Sequence, residues 1–137
     1  MDKYPENYEA VSAKYFSKGF SELSGTEQLV FCIWWLEGEV NNGGFHQFFT
    51  NSSGDFYFET LDALEKIRAY KTKALLQKAS SLAFKGDPPK TQFAREEALA
   101  TNDDSIFDKL YELDKQFYKY EDDIEYLVNS YLNETRR

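Results

Sequence analysis

Asp104, Asp108 and Glu112 stand four residues apart. On a helix this spacing lines three carboxylates along one face, with Cβ atoms about 5–6 Å apart. Asp122, Asp123 and Glu125 follow just after Glu121, and Asp55, Glu59, Asp62 and Glu65 form an earlier row over roughly 15 Å of helix axis. Duplex DNA carries one negative charge per about 1.7 Å of axis, counted over both strands. A helix with a carboxylate on every turn, next to a second such helix, approaches a phosphate row in sign and spacing. These rows can therefore attract a surface built to grip phosphates. They also have plainer readings, because acids cap helix starts and cover solvated faces. The candidate partner contacts are Asp104, Asp108, Glu112, Asp122, Asp123 and Glu125, helped by Asp55, Glu59 and Asp62.

Residues for catalysis are scarce. The one histidine, His46, lies among aromatics and reads as a packed side chain with a backbone hydrogen bond. A metal site drawn from Glu39, His46 and Asp55 would need more nitrogen ligands or a spacing such as H-E-x-x-H, and neither is present. No G-x-S-x-G frame marks a nucleophile, and Gly43-Gly44 lacks the frame of a phosphate loop. Asn51-Ser52-Ser53 matches a glycosylation acceptor, which carries meaning only in a secreted chain. Cys32 sits in an apolar run and reads as a small buried hydrophobe. The expectation is a chain that is not an enzyme and holds no metal or cofactor.

Composition sets the remaining bounds. One cysteine excludes an internal disulfide framework. Met1–Lys18 is polar and mixed in charge, unlike a secretion signal, and the longest apolar run is eight residues, against about 20 for a bilayer span. A cytoplasmic setting is expected. The net charge of −8 disfavours direct contact with nucleic acid or an anionic membrane and favours a basic partner. The charge is clustered. Residues 19–65 hold eight acids and no Lys or Arg, residues 66–95 carry +7, and residues 96–125 carry −8.

The elements that must position these groups follow from periodicity. The chain is organised around Leu29–Asp55. Leu29, Ile33, Leu36 and Val40 form an apolar stripe at helical spacing, widened by Cys32 and Trp35, so Leu29–Leu36 is expected to be a buried central helix. Ser24 with Glu27 offers a capping box at its start. Asn41-Asn42-Gly43-Gly44 offers a stop, with positive φ expected at Gly43 or Gly44. Phe45, Phe48 and Phe49 then plug the core, and Asn51–Asp55 closes the loop. Further helices are expected over Glu6–Lys18, Asp55–Ala69, Leu75–Phe84, Gln92–Ala100, Ile106–Phe117 and Ile124–Tyr131. Tyr70-Lys71-Thr72 reads as a break capped by Thr72, Asp87-Pro88-Pro89 as a loop, and Tyr120–Asp123 as a bend or continuous helix. No segment alternates cleanly enough for a strand. The expected fold is one all-α domain, a bundle of six to eight helices.

The run Asn42-Gly43-Gly44-Phe45-x-Gln47-Phe48-Phe49-x-Asn51-x-x-Gly54, preceded by Glu39 and followed by the Ala63-Leu64 helix, resembles a bacterial all-helical family of Neisserial DNA-mimic type. The likeness spans Leu29 to Phe84. It implies an all-α fold, no catalysis, a homodimer, and an acidic surface that occupies the DNA-binding face of a transcription regulator. The basic block at 66–95 departs from that pattern, since a mimic's contact surface must exclude it. The alternative is an interaction or immunity-type module that recognises its partner by shape, with the acids serving solubility.

Overall fold

The computed structural model describes residues 8–135, which form seven α-helices and no strand. Helix α1 (Tyr8–Lys18) ends at Gly19, whose φ of 94° is open to glycine. The expected start at Glu6 lies outside the described residues. After a short 3₁₀ turn at Phe20–Glu22, α2 (Gly25–Thr50) runs through the centre. Its start is the expected capping box: Ser24 Oγ accepts from Glu27 N–H at 3.1 Å, and Glu27 Oε1 accepts from Ser24 N–H at 2.8 Å.

The expected stop at Asn41–Gly44 is a kink rather than an end. Helical hydrogen bonding resumes past Gly43 and Gly44, so the aromatic plug is itself helical. Phe45, Phe48 and Phe49 are wholly buried, each worth about 1.5–3 kcal/mol of apolar burial. Leu29, Ile33, Leu36 and Val40 line the buried side of the first limb, as the stripe requires.

The segment after Thr50 also differs from expectation in detail. Ser52–Phe56 is a 3₁₀ turn, and α3 (Tyr57–Lys66) begins after it. The chain breaks at Ile67–Ala69, with Arg68 at φ 67°, and α4 (Tyr70–Phe84) starts at once. Thr72 is therefore inside α4, not its cap. Helix α4 ends in left-handed Lys85. Helix α5 (Gln92–Ala100) has the expected bounds, and Thr91 Oγ1 accepts from Ala94 N–H. Helix α6 (Asp104–Tyr118) is capped by Asp103, and α7 (Ile124–Thr135) follows a bend with Tyr120 at φ 48°.

Helix α2 packs most heavily on the Ser52–Phe56 turn, α6 and α3, and less on α5 and α1. Helix α4 closes a second layer against α6, α3 and α5. Among the described residues no helix is long and apolar enough to cross a membrane.

Candidate functional site

The sequence motif builds the frame on which the acidic helices sit. At Gly44 the backbone takes φ 77° and ψ −178°, a region essentially reserved to glycine. Phe45 N–H, freed at the kink, donates instead to Asp114 Oδ1 on α6 at 2.9 Å. Asp114 thereby caps the second limb of α2 from another helix. A Cβ on Gly44 would collide with that carboxylate, and one on Gly43 with the Gln47 side chain. Asn42 Nδ2 donates to Gln47 Oε1 at 3.3 Å across the kink. Burial holds the Asp114 carboxyl above the usual carboxylate range, against the opposing pull of Phe45 N–H and His46.

The far end of α2 is closed by Arg95 of α5, whose side chain is fully buried. Its Nε donates to Phe49 O at 2.8 Å, and one terminal nitrogen donates to Pro89 O and Lys90 O at 3.1 and 3.0 Å. The other donates to Asn51 O at 3.1 Å and to Asp55 Oδ1 at 2.6 Å. All five guanidinium hydrogens are thus used, and a cation meets the carbonyl end of α2. Gly54 makes room for it, since a Cβ there would lie 2.6 Å from Arg95 Nε. Asn51 Nδ2 donates to Glu39 Oε2 at 2.6 Å, and Ser53 Oγ to Phe48 O at 2.8 Å. Each polar member of the motif thus has a packing or bonding task.

The nine candidate acids divide by what their carboxylates touch. Asp104, Asp108 and Glu112 are exposed along the outer face of α6. Among the described residues only Glu112 of these three meets a cation, Lys115 at 3.0 Å, which also lies 5.1 Å from the Tyr111 ring centroid. Glu59 is exposed on α3 and Glu125 half-buried at the start of α7. The others bond to groups of the same chain, although Asp55, Asp62 and Asp123 stay exposed. Asp122 accepts from Thr72 N–H at 2.7 Å and Thr72 Oγ1 at 2.9 Å, tying the bend before α7 to the first turn of α4. Asp123 caps α7 by accepting from Tyr126 N–H. Asp55 holds Arg95, and Asp62 pairs with Lys66 at 3.0 Å.

The two acidic rows are not adjacent. Helix α4 packs between α3 and α6 and brings the basic block with it. Its N-terminal lysines meet acids: Lys73 pairs with Glu65 at 2.8 Å and Lys71 with Glu121 at 3.8 Å. The bases therefore offset much of the α3 row, while among the described residues Asp104 and Asp108 of the α6 row have no such partner.

His46 packs edge-on against Phe107, and its Nδ1 lies 3.4 Å from Thr50 Oγ1, so its ring partner is a side chain and not backbone. Glu39 and Asp55 are committed to Asn51 and Arg95. Among the described residues no three His, Cys, Asp or Glu side chains gather to hold a metal ion. Burial pushes the Cys32 thiol up to about 12, which makes it inert.

Three structural groups escape a reading of spacing alone. Asp114 was visible in principle, because it lies on the apolar stripe of α6 at Leu110, Asp114, Phe117. Glu37, which accepts from Tyr120 O–H at 2.8 Å, is likewise an acid in an apolar helix. Arg95 had no such signal, since α5 is short and polar on both flanks.

No curated protein and no solved structure matches the chain. The family model for DMP19-like protein matches residues 21–135, which takes in the kinked α2, the Arg95 closure and both acidic rows, and the chain belongs to the DMP19-like protein family.

Proposed function

We propose that this chain is a non-enzymatic acidic binding protein that occupies the DNA-binding surface of a basic partner, such as a transcription regulator. The observation that carries this reading is the outer face of α6, where Asp104, Asp108 and Glu112 stand exposed in a row. The α3 row is partly offset by Lys66 and Lys73, so the exposed row of α6 is the main contact. The family supports the reading through the DNA-mimic character of the proteins it resembles. Attraction of this kind is long-ranged and weakens as salt rises past the roughly 8 Å screening length of physiological buffer.

One observation favours recognition by shape instead. Tyr111 and Tyr118 are also exposed on α6, and exposed aromatics anchor protein interfaces. A capture experiment from the native cell extract separates the two readings. On the mimic reading the captured protein binds DNA, is released by duplex DNA and by moderate salt, and is not captured by the Asp104→Asn, Asp108→Asn, Glu112→Gln chain. Capture that ignores DNA, salt and the triple change assigns the surface to shape recognition.

A further inference from the structure

Helix α1 is held largely by a small apolar cluster at the start of α2. Val11, Leu23 and Phe31 are its buried members, ringed by partly buried Tyr15, Trp34 and Trp35. This cluster is distinct from the main core that joins the rest of α2 to α3–α7, although Phe20 and Trp34 touch both and Tyr8 of α1 packs on the main core. Val11 is the one buried residue in α1, while Phe16 is 70% exposed. Tyr15 stacks on Phe31 with centroids 4.5 Å apart, and Tyr8 lies 5.7 Å from Trp34. Among the described residues one ion pair, Lys14 to Glu27 at 3.1 Å, joins the two helices. Glu27 is held ready for it by Ser24 N–H, so the anion stays in place whether or not α1 is docked.

The joint between α1 and α2 runs through Gly19 and the Phe20–Glu22 turn, and Phe20 O and Leu23 O accept from Gln28 Nε2. Gly19 sits at φ 94°, and a Cβ there would meet nothing within 4 Å. The family match begins at Ser21, beyond α1, yet includes Leu23, Phe31, Trp34 and Trp35 in the floor beneath it. The floor thus belongs to the shared fold, and the helix that covers it lies outside the match.

We propose that the aromatic face of α2 is a helix-docking groove and that α1 lies in it as a detachable strap. The groove takes an amphipathic helix with apolar residues at i, i+3 and i+7, the places of Tyr8, Val11 and Tyr15, and a cation at i+6, the place of Lys14. Local opening of this kind needs few buried residues, and Val11 is the one buried residue of α1.

The chain reports on the strap directly, because its two tryptophans, Trp34 and Trp35, both lie against α1. In the full-length Val11→Asp chain, tryptophan emission is expected to shift to the red while the cooperative thermal transition of the remaining helices persists. A synthetic peptide of residues 8–18 should restore the blue emission, and the same peptide carrying Val11→Asp should not. In the unaltered chain, amides of α1 should exchange with deuterium about tenfold or more faster than those of residues 29–36. The exchange measurement decides if the variant fails to fold. Exchange of α1 in step with the centre of α2, or emission that the peptide cannot restore in a folded variant, overturns the proposal.

Discussion

The carboxylates of Asp114 and Asp55 each end on a donor from a distant part of the chain, Phe45 N–H for one and Arg95 for the other. Those of Asp104 and Asp108 end in solvent. The sequence treats the four alike, as acids near apolar stripes. The surroundings separate them. Where a carboxylate is desolvated it must be matched by fixed donors, and its position then fixes the backbone around it. Where it is solvated nothing holds it, and what it contributes is a field that a partner can feel. The bonded pair, Asp114 buried and Asp55 held at the surface by Arg95, shapes the frame, and the unbonded exposed row is left for recognition.

The largest expected effect lies in the frame. Arg95→Ala strands four carbonyls and the Asp55 carboxylate, and is expected to cost about 3–5 kcal/mol in denaturant unfolding. Arg95→Lys should recover little of this, because an ammonium cannot reach five acceptors held in a planar fork. A small effect of either change would break the contrast, by showing that Arg95 is no more structural than a surface base.

Gly44→Val should come next, at about 3 kcal/mol or more by thermal unfolding. The new side chain meets both a forbidden φ and the Asp114 carboxylate. Asp114 itself sharpens the comparison. Asp114→Ala removes the cap on Phe45 N–H and should cost about 1–2 kcal/mol. Asp114→Asn keeps an acceptor and removes a desolvated charge, so at neutral pH it should be neutral or stabilising by up to about 1 kcal/mol. The sign follows from the raised Asp114 pKa. The fold disfavours the ionised form, so the penalty is full above that pKa and fades as pH falls through it toward the unfolded value. The advantage of the Asn chain should fade over the same interval in paired unfolding curves.

The smallest expected effect on stability belongs to the exposed row. Neutralising Asp104, Asp108 and Glu112 removes like-charge neighbours on one helix face, so stability should stay within about 0.5 kcal/mol or rise slightly. Neutralising Lys71, Lys73 and Lys78 should leave partner binding intact or strengthen it, because Glu65 and Glu121 then lose their cations.

How far the sequence could be read follows the same division. The central helix, its capping box and the bounds of α5 were legible because each rests on contacts within a few residues. The kink at Gly43–Gly44 read as an end because the residue that lets the helix resume, Asp114, lies on another helix far along the chain. The break before α4 was misplaced by a few residues for a similar reason. Thr72 looks like a cap, but its N–H and hydroxyl are taken by Asp122 from the bend before α7. Spacing placed the acids on helix faces, yet it could not show that α4 would pack between α3 and α6 and offset one row more than the other.

The central claim is that the frame and the contact surface are separable, with Asp104, Asp108 and Glu112 of α6 serving only the second. One measurement tests it most directly: unfolding and partner capture on a single preparation of the Asp104→Asn, Asp108→Asn, Glu112→Gln chain. The account predicts an unfolding curve that overlays that of the unaltered chain, together with loss of capture. Capture that persists undiminished in a fully folded triple variant would contradict it.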